Sequence, residues 1–237
     1  MHFLGFSVDF DGTIAHDGVV APGTLQALLA LKSSGRRLVL VTGRELVDLV
    51  AQFPQYAIFD RLVLENGGVL LDPATGEHRM LAPPPDPALV DHLQRLGIDR
   101  MSVGKAVIAA WEPDRDRVLD AIRQSGLELQ ITFNKGAIMV LPTGINKGTG
   151  LLAAAAELSI ALPAFVGVGD GENDHSFLKL CGCSVAVSNA IASIKSEVDI
   201  VLEQEKGEGV AFLVADLLRL DAELLPAERR GIEVGTD

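Results

Sequence analysis

The chain has 237 residues, of which 48% are hydrophobic and 22% charged, so it can bury a sizeable core in one large domain or two modest ones. Its formal charge of −12 argues against a nucleic-acid partner, because a phosphate backbone demands a basic face, and against docking on an anionic membrane. We therefore expect neither nucleic acid nor membrane among its partners.

Neither a membrane anchor nor a disulfide is expected. No apolar run approaches the roughly 18 residues of a membrane-spanning helix, and the N-terminus lacks a basic segment followed by an apolar core. The expected location is the cytoplasm. Cys181 and Cys183 lie too close in sequence for a useful loop-closing disulfide, and a Cys-x-Cys metal site would need a second pair that the sequence lacks. We expect both to be free thiols.

Short apolar strands alternate with helices over the first third of the chain. After the turn at Glu65-Asn66-Gly67-Gly68 the chain returns in a strand at 69–71. Alternation of this kind favours a parallel sheet covered on both faces. The elements predicted before that turn are strands at 3–9, 37–41, 57–59 and 62–64, with helices at 22–32 and 45–53.

The pattern changes after Pro83-Pro84-Pro85, which is the clearest boundary signal in the sequence. An α/β fold is predicted, in which a Rossmann-like parallel-sheet core formed by 1–82 and 143–237 is interrupted by an inserted small α+β domain at 83–142. The predicted elements of the insert are a helix at 86–96, one or two strands in 101–111, a helix at 114–125 and a hairpin of 127–133 and 137–141. Alternation then resumes with helices at 146–158 and 172–180 and strands at 164–168 and 184–187.

Two acids follow the first predicted strand, in the run Asp9-Phe10-Asp11-Gly12-Thr13. Side chains two residues apart on an extended segment point the same way, so Asp9 and Asp11 can converge on one small volume. Carboxylates are costly to bury unpaired, and a divalent cation would relieve their repulsion. A solvated turn after a strand is the alternative for this motif taken alone.

Three further polar segments lie just after a predicted strand or at a helix start. In open α/β sheets such loops gather at one edge, where ligands bind. Each has an ordinary alternative: Thr42 and Asp170 as helix caps, and Lys147 as a surface lysine. Together, however, the carboxylates suit Mg²⁺, while the hydroxyl, amine, amide and backbone donors suit a phosphoryl group. The segments are Thr42-Gly43-Arg44, Asn146-Lys147-Gly148 and Gly169-Asp170-Gly171-Glu172-Asn173-Asp174.

These four motifs, in this order, resemble those of the haloacid dehalogenase superfamily of phosphohydrolases, in particular its Cof-like IIB branch with a C2B cap. The turn at 65–68 and the run Val187-Ser188-Asn189-Ala190 also look like loops of that family. The resemblance extends from about residue 3 to residue 215. It implies the same core fold, with the insert at 83–142 as a mobile cap over the site.

The resemblance also implies roles for individual residues. Asp9 would be the nucleophile that forms an aspartyl-phosphate, and Asp11 the general acid and then base. Mg²⁺ would be held by Asp9, the backbone carbonyl of Asp11 and Asp170, with Asp174 as a further ligand or just behind them. The transferring phosphoryl group would be bound by Thr42, Gly43, Lys147 and Asn173. Candidate cap contacts to the leaving group are Lys105, Trp111, Asn134 and Lys135.

Two histidines lie near these motifs in the sequence. His175 is expected to pack behind the site, and His16 is expected to be solvated.

The predicted activity is Mg²⁺-dependent hydrolysis of small phosphorylated metabolites, with sugar or polyol phosphates first among them. A phosphomutase of the phosphomannomutase type is one alternative, since that enzyme resembles the same branch. A non-catalytic sensor of a phosphorylated metabolite is another, although it would have no need of a nucleophile. The tail from 217 to 237 is expected to form a solvated helix.

Overall fold

The computed structural model describes residues 3–134 and 136–224. Short 3-10 turns lie at Pro54–Ile58, Glu65–Gly67, Leu162–Ala164 and Glu172–Asp174. The helices and strands of the described residues are, in chain order, β1 (Gly5–Val8), β2 (Ala15–His16), β3 (Val19–Val20), α1 (Pro22–Ser33), β4 (Arg37–Val41), α2 (Leu46–Gln52), β5 (Arg61–Leu64), β6 (Val69–Asp72), β7 (Glu77–Met80), α3 (Pro87–Arg95), β8 (Ser102–Val103), β9 (Ile108–Trp111), α4 (Arg115–Ser125), β10 (Leu129–Asn134), β11 (Ala137–Pro142), α5 (Lys147–Leu158), β12 (Phe165–Gly169), α6 (His175–Leu178), β13 (Cys183–Ala186), α7 (Ala192–Lys195), β14 (Ile200–Val201) and α8 (Lys206–Leu224).

The larger sheet has eight strands within the described residues, in the order β14-β13-β12-β1-β4-β5-β6-β7. The six strands from β14 to β5 run parallel, and β6 and β7 continue the sheet antiparallel. The predicted α/β fold class, with a sheet that is mainly parallel, is therefore confirmed. Because parallel strands end at the same edge, the loops after β1, β4, β5 and β12 lie close together.

The central strands are apolar on both faces because helices cover both sides of the sheet. In β4, Leu38 and Leu40 point to one face and Val39 and Val41 to the other, and all four are fully buried. Helices α1 and α8 pack on the first face, and α5 with α6 covers the second. Burial of each such side chain contributes about 1.5–3 kcal/mol. A continuous apolar run of this kind is typical of a central parallel strand.

A second sheet is formed by residues between 102 and 142. Its order is β10-β11-β9-β8, and all neighbouring strands are antiparallel. Helices α3 and α4 pack against it around a separate apolar cluster that includes Leu93, Val118 and Ile138. Asp86 starts α3 by accepting a hydrogen bond from Ala88 N at 2.7 Å.

The structure differs from the predicted elements at several points. The strand expected at 57–59 is wrong, because Pro54 begins a 3-10 turn there and the edge of β4 pairs instead with β5. The helix expected at 172–180 is broken into a 3-10 turn and the short α6. Strand β7 was not predicted, since its four residues are exposed and do not alternate. Of the tail at 217–237, residues up to 224 belong to α8 and 225–237 lie outside the described residues.

None of the helices in the described part of the chain has both the length and the apolar character that crossing a bilayer requires.

Candidate active site

Carboxylates converge where parallel strands of the larger sheet end. Asp9 follows β1, Asp170 follows β12, and Asp174 lies at the end of the 3-10 turn after β12. Each of the three offers a carboxylate oxygen within 4.8 Å of the others, and all three residues are buried. Like charges this close disfavour ionisation of the group, so the cluster requires positive charge nearby.

Lys147 supplies one positive charge from the first turn of α5. Asn146 caps this helix: its side chain accepts from Thr149 N at 3.0 Å, while Thr149 Oγ1 accepts from Asn146 N at 3.0 Å. The fully buried Lys147 then donates from Nζ to Asp9 Oδ1 and to Asp174 Oδ1, both at 2.6 Å. A lysine is disfavoured at a helix N-terminus, and these two ion pairs offset that cost.

The protonation of this cluster is set by burial and by its own charges. Burial is the largest effect that raises the pKa of Asp9 well above its ordinary value, followed by the charge of Asp174, while Lys147 acts in the opposite direction. Burial alone would lower the pKa of Lys147, but the charges of Asp174 and Asp9 outweigh burial and raise it. Lys147 is therefore a permanent cation, and one lysine is not enough to keep every carboxylate ionised.

Protein donors fix the other two carboxylates. Asp174 Oδ2 accepts from the backbone N of Asp170 at 2.8 Å and of Gly171 at 2.9 Å. Since Asp174 Oδ1 is bound by Lys147, both oxygens of this carboxylate are held by the protein. Asp170 accepts from Thr13 Oγ1 at 3.0 Å through Oδ1 and from Asn189 Nδ2 at 3.3 Å through Oδ2. The arrangement orients Asp170 beside Asp9 rather than leaving it to rotate.

Asp11 is bound to an arginine instead of turning towards the cluster. Arg44 donates from Nε to Asp11 Oδ2 and from Nη2 to Asp11 Oδ1, both at 2.7 Å. Its guanidinium carbon also lies 5.3 Å from the centroid of the Phe10 ring. A bidentate pair of this geometry is stronger than a typical ion pair with the same solvent exposure, because both of its hydrogen bonds join charged groups. The pair with Asp11 raises the pKa of Arg44, against the effect of burial.

The predicted phosphate-binding residues lie around the same edge. Thr42 is fully buried, and its Oγ1 accepts from Arg44 N at 3.1 Å, so the hydroxyl proton is directed elsewhere. Asn173 donates from Nδ2 to Asn66 Oδ1 at 2.8 Å, while its buried Oδ1 has no partner among the described residues. A Cβ at Gly43 would lie 2.8 Å from Met139 Cε, so a side chain there would displace the end of the Met139 side chain.

Glu65 connects the two sheets. It follows β5 with a left-handed φ of 51° and is buried. Its carboxylate accepts from the backbone N of Lys105 at 3.2 Å, of Ala106 at 2.7 Å and of Val107 at 3.2 Å. Ala106 itself packs into the apolar cluster of the larger sheet. The segment between β8 and β9 is therefore attached to the larger sheet.

A cavity of about 350 Å³ lies between the acids and the second sheet. Of the predicted contacts from the insert, Trp111 and Asn134 line it, whereas Lys105 lines a separate small cavity beside Glu45 and His78. Lys135 lies outside the described residues. The residues that line the larger cavity are Asp9, Asp11, Gly43, Arg44, Glu45, Asp48, Ser102, Val107, Ala109, Trp111, Asn134, Ala137 and Met139.

The two histidines named from the sequence are not in this cavity. His16 is exposed in β2. His175 has Nδ1 3.2 Å from Glu197 Oε2 and Nε2 3.2 Å from Ser193 Oγ. These contacts direct the His175 ring towards α7 and the residues after it, in agreement with the packing role expected from the sequence.

Sequence reasoning assigned no role to several residues that contact the site. Thr13 and Arg44 lie inside two of the four motifs, and Asn189 lies in the run 187–190 that resembles a loop of the family. Glu65 and Asn66 belong to a turn that the sequence predicts and that resembles a loop of the family, but the pattern gives neither side chain a role. Two consecutive non-glycine residues with positive φ in that turn are a structural signal that residue type alone does not give.

A buried acid cluster with a lysine, at the carboxyl edge of a mainly parallel sheet and beside a cavity, is typical of enzymes of the phosphoryl-transfer class. The sequence profile of the haloacid dehalogenase-like hydrolase family matches residues 6–96 and 91–214. The chain belongs to the haloacid dehalogenase-like hydrolase family. The family and the enzyme class predicted from the motifs, a haloacid dehalogenase-type phosphatase, are thereby confirmed.

Relatives and solved structures agree with this assignment. The chain is 30% identical over 223 residues to a phosphoglycolate phosphatase of Methanopyrus kandleri, covering 89% of this chain and 95% of the relative. It is 28% identical over 220 residues to phosphoglycolate phosphatase 2 of Saccharolobus solfataricus, covering 89% and 90%. The fold is similar to that of a haloacid dehalogenase-like hydrolase from Bacteroides thetaiotaomicron, with a TM-score of 0.76, 18% identity and coverage of 91% and 99%. It is also similar to that of the subclass IIB sugar phosphatase BT4131, with a TM-score of 0.72, 16% identity and coverage of 90% and 98%.

Proposed function

We propose that this enzyme is a Mg²⁺-dependent phosphatase that hydrolyses small phosphorylated metabolites through an aspartyl-phosphate on Asp9. The observation that carries the proposal is the buried cluster of Asp9, Asp170 and Asp174 with Lys147 between two of its members. A cluster that served only to stabilise the fold would not need three carboxylates against one cation, because unpaired buried charge is costly.

The donor set of the cluster fits a divalent cation. Asp9 and Asp170 offer carboxylate oxygens, which Mg²⁺ prefers, and three carboxylates against one lysine leave an excess of negative charge. We propose Asp9, Asp170 and the backbone carbonyl of Asp11 as ligands. We assign Asp174 to the orientation of Lys147 and not to the metal, since both oxygens of the Asp174 carboxylate already accept hydrogen bonds from the protein. When bound, Mg²⁺ would neutralise charge on the phosphoryl oxygens.

The chain's own residues then divide the reaction between them. A carboxylate oxygen of Asp9 forms a bond to phosphorus as the bond to the leaving oxygen breaks, and Asp11 gives that oxygen a proton. Water then attacks phosphorus, Asp11 takes its proton, and Asp9 is released with inorganic phosphate. Lys147 binds Asp9 and favours its ionised form, while the hydroxyl proton of Thr42 and the second hydrogen of Asn173 Nδ2 can be donated to the phosphoryl oxygens.

We also propose that residues 83–142 form a cap whose inner face is the far wall of the cavity. This part of the chain contributes Ser102, Val107, Ala109, Trp111, Asn134, Ala137 and Met139 to the lining. Closure of such a cap excludes water and brings the leaving group against the second sheet. The substrate is then small, because the space between the acids and that sheet is only about 350 Å³.

The relatives order the candidate substrates. Several proteins that resemble this chain over most of its length are phosphoglycolate phosphatases, so we place 2-phosphoglycolate first. The sugar or polyol phosphates expected from the sequence come second, with support from the fold of one sugar phosphatase. Four of the cap residues that line the cavity, Val107, Ala109, Ala137 and Met139, are apolar, which favours the smaller and less hydroxylated substrate.

The test is phosphate release from a panel of phosphomonoesters with Mg²⁺ and with EDTA. We expect release that requires Mg²⁺ and is greatest with 2-phosphoglycolate. Asp9→Asn should abolish it, whereas the control Asp91→Asn, at an exposed position of α3, should not. Conversion of a hexose 1-phosphate to its 6-phosphate without net release would instead favour the phosphomutase. Tight binding without turnover would favour the sensor, and release unaffected by EDTA would contradict the proposal.

A further inference from the structure

The proposed acid and base, Asp11, is held by Arg44 in this structure. Each of its carboxylate oxygens accepts a hydrogen bond from Arg44 at 2.7 Å. These two bonds fix the plane of the carboxylate against Arg44, so Asp11 can turn towards a leaving oxygen above Asp9 only when at least one of them is broken. A second partner for Arg44 would allow that turn.

Arg44 is also placed to meet a substrate. It lines the same cavity as Asp9 and Asp11, and its side chain is 22% exposed. Among the residues described as lining that cavity, it is the one with a cationic side chain, while Glu45 and Asp48 add further carboxylates to the wall. An anionic group on the leaving side of a substrate would be repelled by most of this wall and attracted by Arg44.

We propose that Arg44 binds a carboxylate on the substrate, and that this exchange releases Asp11 to act on the leaving oxygen. The proposal rests on the proposed function and adds to it the residue that recognises the carboxylate of a substrate such as 2-phosphoglycolate, and the link between that recognition and Asp11. No covalent bond changes in this step: one bidentate carboxylate–guanidinium pair replaces another, and Asp11 becomes free to turn towards Asp9.

The chemistry of the exchange favours a carboxylate over a hydroxyl. A planar guanidinium makes two parallel hydrogen bonds to a carboxylate, and a second carboxylate can match both. A sugar hydroxyl is uncharged and offers Arg44 no comparable pair, so it competes poorly with Asp11. The stack of Arg44 on Phe10, at 5.3 Å, holds the guanidinium in place while its partner changes. A substrate with a carboxylate would thus activate the enzyme that hydrolyses it.

The experiment compares 2-phosphoglycolate with ethyl phosphate, which has the same ester and lacks the carboxylate. For the wild-type enzyme with Mg²⁺ we expect higher kcat/KM with 2-phosphoglycolate. Arg44→Gln should lower kcat/KM for 2-phosphoglycolate about 10-fold to 100-fold more than for ethyl phosphate, as expected for loss of a charge-assisted pair.

Two further variants separate recognition from folding. Arg44→Lys keeps the charge but not the paired geometry, so it should restore only part of the preference for 2-phosphoglycolate. The control Arg115→Gln removes an arginine that stacks on Phe133, also at 5.3 Å, outside the cavity, and should leave the preference unchanged. Circular dichroism checks that each variant is folded.

The outcomes are distinguishable. Two results would contradict the proposed exchange of carboxylates on Arg44 and leave the phosphatase assignment intact. One is an equal loss of activity on both substrates in Arg44→Gln, and the other is the full wild-type preference in Arg44→Lys. The exchange is also wrong if the wild-type enzyme hydrolyses both substrates with no preference. If the wild-type enzyme releases phosphate from no phosphomonoester, the proposed function fails and takes this inference with it.

Discussion

Replacing Lys147 by methionine removes the buried cation and keeps most of its volume. Lys147 is fully buried and makes ion pairs of 2.6 Å with both Asp9 and Asp174. Methionine fills the space of the lysine stem, so little cavity is created. What is lost is the charge that compensates two buried carboxylates.

The expected cost is a large fraction of the stability of a domain. Removing one partner of a buried ion pair typically costs about 3–5 kcal/mol, because the remaining charge is left uncompensated. The ion pair with Asp174 alone therefore places the loss in free energy of unfolding at about 3–5 kcal/mol in the absence of a divalent cation. Activity should be lost as well, since the charge that favours the ionised form of Asp9 is removed.

The measurement is urea unfolding followed by circular dichroism in EDTA. The matched control is Lys179→Met, which removes an exposed lysine from a pair of 2.9 Å with Glu197 and should cost about 1 kcal/mol or less. A loss in Lys147→Met no larger than in this control would refute the reasoning, because the buried carboxylates would then not depend on the lysine.

Three further predictions concern other buried groups. Glu65→Gln should lower the free energy of unfolding by about 1–3 kcal/mol and speed hydrogen exchange of the amides at 105–107, because their acceptor loses its charge; unchanged exchange would count against this attachment. Burial raises the pKa of Cys181 to about 12, so its thiolate is scarce near pH 8 and alkylation should require unfolding; mass spectrometry would show rapid native labelling if the thiol were open. The raised pKa of Asp9 means that the folded, metal-free protein binds a proton which the unfolded chain releases near pH 4. Stability in EDTA should therefore fall as the pH rises above about 4, and fall less in Asp9→Asn; an identical fall in both proteins would show that Asp9 is not the cause.

The core strands were predictable because each carries its own signal. Strands β4 and β12 are short apolar runs buried on both faces, and such runs can be read without knowledge of their neighbours. The exposed edge strand β7 has no such pattern, and its existence depends on pairing with β6. The failed strand at 57–59 shows the reverse case, in which an apolar run had no free strand edge to join.

The candidate site, like the fold, was predictable from the sequence only in part. Motif positions at strand ends indicated Asp9, Lys147 and Asp170 as neighbours, because topology alone brings strand ends together. Which side chain pairs with which depends on rotamers and on contacts between distant segments. The pairing of Arg44 with Asp11 and the attachment of Glu65 to residues 105–107 are of this kind, and no local pattern predicts them.

The central claim is that Asp9 receives the phosphoryl group, and a trapped intermediate tests it most directly. In Asp11→Asn the group proposed to activate water is missing, whereas p-nitrophenyl phosphate has a leaving group that needs no proton. With Mg²⁺, we predict a burst of p-nitrophenolate and a phosphoryl group on the peptide that contains Asp9, found by acid quench and mass spectrometry. Steady release of p-nitrophenolate with no phosphoryl group on that peptide would contradict the account.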